Sequence, residues 1–297
     1  MRVVIAAVTA RAFDVVARLA PDGVEVRRLP EGRGEAAFLL PDWDDRETMR
    51  ELPGLERVRV VQSLSAGTDW LEDRVPAWAT LCNARGARDA PVAEWVVGAL
   101  LGDAYGQFTA ARERRWSDAQ PRELQGATVV VVGFGSIGRA LKERLEPFGV
   151  NVVGVASRAR DGVRGVDELP AVIGEADAVV ALTPLTPETT GLIGADLLAR
   201  MRDGALLVNA GRGAVVDTDA LVAELESGRL RAVLDVVDPE PLPDDHPLWD
   251  LALAITPHNS GDTPAADRRA VQFAAEQLVR FANGEPLQNV VREARAG

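Results

Sequence analysis

The sequence predicts an α/β protein of two domains, each built on a parallel sheet, and three observations predict it. Strand-like apolar runs recur at residues 3–7, 36–40, 58–62, 128–132, 150–155, 178–182, 205–209, 232–236 and 253–256, separated by stretches of helical periodicity. That alternation builds parallel sheets covered by helices on both faces. A length of 297 residues exceeds the usual span of one hydrophobic core and suits two. Finally, a glycine-rich turn follows the run 128–132 directly and opens a helix.

Composition narrows the classes of function. Apolar residues make up 47% and charged residues 26%, enough apolar surface for full cores. The net charge of -12, with no cluster of Lys and Arg, disfavours nucleic acid as a partner. One cysteine, Cys82, forms no intramolecular disulfide, and two histidines, His246 and His258, are too few for a metal site, so no metal is expected and a reducing cytoplasm fits. Cys82 reads as a buried spacer.

At the N-terminus, Met1-Arg2 followed by an apolar run, with Ala10-Arg11-Ala12 mimicking a cleavage site, superficially resembles a signal peptide. The run is too short for that and has the composition of a buried first strand. No apolar stretch is long enough to cross a bilayer, so no membrane partner is expected. Residues 91–115 read as a long helix with Val92, Trp95, Val96, Ala99 and Leu100 on one face, followed by a polar segment at 117–124. A domain boundary is placed near its start. A final amphipathic helix at 263–283, stopped by Asn283-Gly284, returns the chain to the first lobe. The expected organisation is a discontinuous domain of residues 1–94 and 264–297, with a second domain, 95–263, inserted in it.

The glycine-rich turn is Gly133-Phe134-Gly135-Ser136-Ile137-Gly138. Its glycines serve a tight turn, a close backbone approach to pyrophosphate and tight helix-on-strand packing, while the helix N-terminus faces the phosphates. With strand, helix and second strand in place, this is a Rossmann-like nucleotide site. An NAD enzyme carries a carboxylate at the end of the second strand to hold the ribose 2′-hydroxyl. Here that position is Ala156, followed by Ser157, Arg158 and Arg160, which suit a 2′-phosphate. NADP(H) is therefore the expected cofactor and NAD(H) the other. The competing reading of Arg158 and Arg160 is a solvated loop.

Three further segments, Val208-Asn209-Ala210-Gly211-Arg212-Gly213, Leu234-Asp235-Val236-Val237-Asp238-Pro239-Glu240-Pro241-Leu242 and Thr256-Pro257-His258, resemble in order and spacing the D-isomer-specific 2-hydroxyacid dehydrogenases, the family of glyoxylate/hydroxypyruvate reductases. Ser65-Ala66-Gly67-Thr68-Asp69 resembles the family's substrate loop, Leu185-Thr186-Pro187-Glu188-Thr189-Thr190-Gly191-Leu192-Ile193 its mid-domain signature, and Gly284-Glu285-Pro286-Leu287-Gln288-Asn289-Val290 its C-terminus. The resemblance implies two Rossmann-like or flavodoxin-like domains, a homodimer, and hydride transfer between NAD(P)H and a small 2-keto acid. It also implies three catalytic residues. Arg212 binds the substrate carboxylate and keto oxygen, His258 protonates the developing alkoxide, and Glu240 orients the imidazole and favours its charged form. By the same carry-over Asp235 contacts the nicotinamide carboxamide. Thr183, Pro184, Ala210 and Gly211 line the cofactor cleft, Ser260 and Gly261 flank the nicotinamide, and backbone N–H groups of Ser65, Ala66 and Gly67 bind the substrate carboxylate.

Each catalytic residue also has a plain structural reading: a turn arginine, a solvated glutamate between prolines, a strand-end histidine. His246, in Asp245-His246-Pro247, reads as structural. The sequence departs from its relatives in three ways. The chain stops soon after the returning helix, which disfavours a serine-feedback enzyme. Glu240 stands where formate dehydrogenases carry glutamine, which disfavours formate. Arg85 and Arg88 enrich the loop before the long helix and invite a second acidic group on the substrate. Two other functions stay open. One is phosphite dehydrogenation, and the other is a non-catalytic dinucleotide sensor of the corepressor type.

Overall fold

A computed structural model describes residues 4–114, 116 and 120–295. Val3 of the expected first strand, Arg115 of the expected long helix and residues 117–119 of the polar segment lie outside the described residues. The chain divides into two compact units, Met1–Arg88 with Asp262–Gly297, and Asp89–Gly261. The second is thus inserted in the sequence of the first.

The first unit is a six-stranded sheet. Its strands are β1 (Val4–Val8), β2 (Val24–Arg28), β3 (Phe38–Leu40), β4 (Val60–Gln62), β5 (Thr80–Cys82) and, returning from the far end of the chain, Val290–Arg292. The order runs Val290–Arg292, β5, β4, β3, β1, β2, parallel except for the returning strand. This is the flavodoxin-like 2-1-3-4-5 order with an antiparallel edge added. Alternate side chains feed two cores, Ala6, Val8, Phe38 and Leu40 on one face and Ala7, Leu39, Val61 and Leu81 on the other. The helix Pro264–Asn283 lays Ala270, Ala274 and Leu278 on the first of these faces, the two alanines being small enough to let it approach the sheet. Thr263 Oγ1 caps it by accepting from Ala266 N at 3.1 Å, and Gly284 at φ 70° ends it, as the sequence indicates. Strands β2 and β5 and the returning strand were absent from the sequence expectation. β2 is an edge strand whose Glu25, Arg27 and Arg28 lie at or near the surface, so it carries no apolar run to read.

The second unit is a seven-stranded, wholly parallel sheet. It comprises β6 (Thr128–Val132), β7 (Asn151–Ala156), β8 (Arg164–Gly165), β9 (Ala178–Ala181), β10 (Leu206–Asn209), β11 (Arg231–Leu234) and β12 (Ala254–Ile255). The order β12-β11-β10-β9-β6-β7-β8 reverses between β6 and β9, a switch point of the kind that receives ligands at the C-terminal strand ends. The valine run of β6 shows why the strand is buried on both faces. Val130 and Val132 join one core with Leu207 and Leu234, and Val129 and Val131 join the other with Leu141 and Leu145 of the helix Ser136–Leu145. The helix expected at 91–115 is two helices, Asp89–Ala104 and Gln107–Glu113. They are parted at Gly106, whose φ of 64° no continuous helix accommodates. Asp103, with a side chain 6% exposed, closes the first helix by pairing with Arg231 and with Arg122, the latter at 2.7 Å.

Candidate active site

Because all seven strands of the second unit run the same way, the loops that follow them gather along one edge of the sheet. The turn after β6 carries Gly133, Gly135 and Gly138, and each glycine has its own surroundings. A Cβ on Gly133, at φ 96°, would stand 2.6 Å from Leu182 C and Thr183 N, so only glycine lets the end of β9 close on this turn. A Cβ on Gly138 would meet Phe134 Cδ2 at 3.1 Å, the tight helix-on-strand contact. Around Gly135 a Cβ would meet nothing within 4 Å. The helix Ser136–Leu145 begins there without a side-chain cap for its first N–H groups. Ser136 Oγ donates to Asp89 Oδ1 at 3.1 Å, and Ile137 packs partly buried beside the helix core.

After β7, Ser157, Arg158 and Arg160 are exposed. Arg160 Nη2 reaches back to Phe134 O at 2.5 Å, which places one of the expected cations on the glycine turn itself. After β9, Thr183 is buried and its Oγ1 has no hydrogen-bond partner, an orphaned polar atom at the switch point. Pro184 beside it is exposed. After β10, Ala210 and Gly211 lie against the same place: a Cβ on Gly211 would stand 2.8 Å from Thr183 O.

The turn that presents Arg212 is held by Asn209, 1% exposed at the end of β10. Its Oδ1 accepts from Gly211 N at 3.1 Å and its Nδ2 donates to Arg212 O at 2.9 Å. Arg212 is half-buried, and its Nη1 donates to Gly211 O at 2.8 Å. The next residue, Gly213, meets the loop after β11 so closely that a Cβ would overlap Val237 O, which seats the Arg212 turn against the loop carrying Glu240. That loop is anchored by buried Val236 and Leu242, and Thr218 Oγ1 donates to Asp238 O at 2.9 Å.

His258, on the loop after β12, has Nδ1 2.7 Å from Glu240 Oε1, with both side chains about two-fifths exposed. The imidazole and carboxylate singled out in the sequence therefore meet. Asp235, which follows β11, is 1% exposed, and its carboxylate accepts from Thr256 Oγ1 at 2.5 Å, Asn259 N at 3.0 Å and Ser260 N at 3.1 Å. Ser260 is thereby fixed, with Gly261 following it. Asn209 and Thr256 had no assigned part in the sequence reading. The signal available for Asn209 was a polar residue ending a buried apolar run, which requires partners.

In the first unit, Ser65, Ala66 and Gly67 form the loop after β4. Asn83 Nδ2 donates to Ala66 O at 2.7 Å and Ser63 Oγ accepts from Ser65 N at 3.0 Å. Arg88, with a side chain 12% exposed, pairs with Asp262 at 2.5 Å and Asp267 at 2.8 Å, so it holds the start of the helix Pro264–Asn283. Arg85 Nη2 donates to Asn289 Oδ1 at 3.2 Å. His246 Nδ1 accepts from Leu248 N at 3.2 Å, a local structural bond. Cys82 is buried, and desolvation, reinforced by Glu293 and opposed by Gln277, pushes its thiol up to about 12. Among the described residues no helix is long and apolar enough to cross a membrane.

Residues 99–260 match the family described as D-isomer specific 2-hydroxyacid dehydrogenase, NAD binding domain. A glyoxylate reductase of Thermofilum pendens is 31% identical over 89% of this chain and 83% of its own. A D-isomer specific 2-hydroxyacid dehydrogenase from Xanthobacter autotrophicus, solved with NADPH and MES, superposes with a TM-score of 0.83 at 30% identity over 98% of both chains. An NADPH-dependent glyoxylate/hydroxypyruvate reductase from Sinorhizobium meliloti, solved with NADP and sulfate, gives 0.81 at 26% identity, again over 98% of both chains. The chain belongs to the D-isomer-specific 2-hydroxyacid dehydrogenase family and is an NAD(P)-dependent oxidoreductase.

Proposed function

We propose that this enzyme reduces a small 2-keto acid of the glyoxylate or hydroxypyruvate type to its D-2-hydroxy acid and takes NADPH in preference to NADH. The observation that carries the reading is the His258 and Glu240 pair, 2.7 Å apart, on loops of the same sheet edge as the Arg212 turn and the glycine turn. The relatives reported above, a glyoxylate reductase and two proteins solved with NADPH or NADP, support the substrate class and the cofactor.

The residues present fit a dinucleotide. Gly135 leaves open the space that a pyrophosphate needs, the uncapped helix offers N–H groups to it, and Thr183 Oγ1 is an unsatisfied polar atom in the place a cofactor would cover. Gly133, Gly135, Ser136, Ile137 and Gly138 hold the phosphates in this reading, Ser157, Arg158 and Arg160 the 2′-phosphate, and Thr183, Pro184, Ala210, Gly211, Asp235, Ser260 and Gly261 the nicotinamide half. The absence of a carboxylate at Ala156 removes the group that would repel a 2′-phosphate. When bound, the reduced nicotinamide supplies the hydride.

The protein's own part is binding, orientation and a proton. Arg212 grips the substrate carboxylate and keto oxygen and so fixes which face of the carbonyl is presented. His258, with Nδ1 committed to Glu240, has Nε2 left to give a proton to the oxygen as the alkoxide develops. Keto acid, NADPH and one proton give hydroxy acid and NADP⁺. In the first unit the substrate-carboxylate role rests on the N–H groups of Ala66 and Gly67, since that of Ser65 is taken by Ser63 Oγ. With Arg88 held by two aspartates, a second acidic group on the substrate falls to Arg85. The unit 89–261 serves as the nucleotide domain and the other as the substrate domain. A cytoplasmic homodimer completes the proposal, supported by the single buried cysteine and the family's habit.

The test is an initial-rate panel with NADPH and NADH against glyoxylate, hydroxypyruvate, pyruvate and phenylpyruvate, and with NAD⁺ and NADP⁺ against phosphite. The expected result is turnover of the smaller keto acids, with kcat/KM at least about 10-fold higher for NADPH and the ratio narrowed by Arg158→Ala, as loss of a charged hydrogen bond implies. Turnover of phosphite with NAD alone, or cofactor binding with no turnover on any acid, sinks the proposal.

A further inference from the structure

Besides the task that the carry-over from the family gives Asp235, holding the nicotinamide carboxamide, its carboxylate accepts a set of hydrogen bonds within the chain. Oδ1 accepts from Thr256 Oγ1 at 2.5 Å, from Asn259 N at 3.0 Å and from Ser260 N at 3.2 Å, and Oδ2 accepts from Ser260 N at 3.1 Å. The main chain joins in, with His258 N donating to Asp235 O at 2.8 Å. These bonds go to residues 256–260, the short segment in whose middle His258 sits.

That segment needs holding. His258 has φ 52°, in the left-handed region that a residue with a Cβ avoids unless its neighbours over-determine it. The pyrrolidine of Pro257 gives no N–H to help. Asp235 is 1% exposed, so its hydrogen bonds act away from competing water. Thr256 on one side of His258, and Asn259 and Ser260 on the other, are tied to the same carboxylate, which bridges the ends of the strained turn. The result is an imidazole aimed at Glu240 Oε1.

We infer that buried Asp235 and half-buried Thr256 form a clamp that holds the strained backbone of His258, making both of them positioning residues for the proton transfer. The inference rests on the reading of His258 as the acid. Thr256 is the informative position, because its hydroxyl donates to Asp235 Oδ1.

The experiment compares Thr256→Val, which keeps the shape and removes the donor, with Thr256→Ser, which keeps the donor. Kinetics are read with glyoxylate and NADPH, and histidine ring resonances are read by NMR. The chain has two histidines, so the spectrum of His258→Ala assigns both rings. Thr256→Val is expected to lower kcat by about 10- to 100-fold, the size of a lost hydrogen bond to a charged group. The Kd for NADPH stays within about twofold, the His258 ring signals move while those of His246 do not, and Thr256→Ser restores both kcat and the ring signals. If the His258 ring signals stay in place, the clamp is overturned whatever the rates do. If they move and kcat holds, the clamp stands and the assignment of His258 as the acid falls.

Discussion

Replacing Gly135 by alanine separates the two jobs of the glycine turn. In the protein as it stands, a Cβ at 135 meets nothing within 4 Å and φ, at −89°, lies outside the left-handed region, so no atom of the fold obstructs alanine there. Gly133→Ala is the contrasting change. There φ is 96° and the Cβ would press to 2.6 Å on the backbone of Leu182 and Thr183, which does not yield as a flexible side chain would. The left-handed conformation costs a non-glycine residue about 1–2 kcal/mol and overpacking about 1–3 kcal/mol, together about 2–5 kcal/mol. For a unit of this size that lowers Tm by roughly 4–20 °C. For Gly135→Ala the overlap arises only when pyrophosphate approaches. The same 1–3 kcal/mol of overpacking then appears wholly in cofactor affinity, as about 5- to 150-fold in Kd. Thermal unfolding without cofactor and a fluorescence titration with NADPH measure the two quantities. Gly135→Ala with wild-type Tm and weakened Kd, beside Gly133→Ala with both impaired, is the expected pattern. An unchanged Kd for Gly135→Ala refutes the assignment of this turn to the pyrophosphate.

Two further consequences concern the rest of the molecule. Burial pushes the Cys82 thiol up to about 12, so at pH 8 it should not react with a thiol reagent until the protein unfolds. The unfolded thiol titrates near about 8.5, and between there and about 12 the unfolded chain holds fewer protons than the folded one. This residue's contribution therefore falls as pH rises through that window, and a Cys82→Val variant should lose less stability between pH 8 and 10 than wild type in urea melts. Asp103→Ala strips Arg231 of its buried partner and should cost about 3–5 kcal/mol in the same assay, whereas Asp103→Leu with Arg231→Met should recover most of it. A loss below about 1 kcal/mol for the single change contradicts the burial argument.

What the sequence disclosed, and what it withheld, follows from how far each feature depends on its neighbours. Thr128–Val132 is legible to the residue because a strand buried on both faces must be apolar throughout. Val24–Arg28 is not, because an edge strand with one neighbour tolerates Glu25 and Arg28 at the surface. The break in the long helix at Gly106 is a single positive φ that glycine permits without requiring. At the site, Arg212, Glu240 and His258 were legible through the family resemblance of their segments, and the structure brings Glu240 and His258 together. Thr256 was not, because its partner, the Asp235 carboxylate, lies on another segment and meets it only once β11 and β12 lie side by side. Asn209 differs: its partners, Gly211 N and Arg212 O, lie in its own segment, so a polar residue ending a buried strand was a local signal that the sequence reading did not use. Arg88 shows the converse: charge and position suggested a substrate contact, while folding brings Asp262 and Asp267 to it.

The most direct test of the central claim is single-turnover oxidation of bound NADPH by glyoxylate in wild type and in His258→Ala. The catalytic reading predicts a rate lower by about 10²- to 10⁴-fold in the variant, the usual worth of a positioned acid, with Kd for NADPH unchanged. A rate within about threefold of wild type would show that the proton comes from elsewhere, since proton transfer by a side chain is worth far more than that.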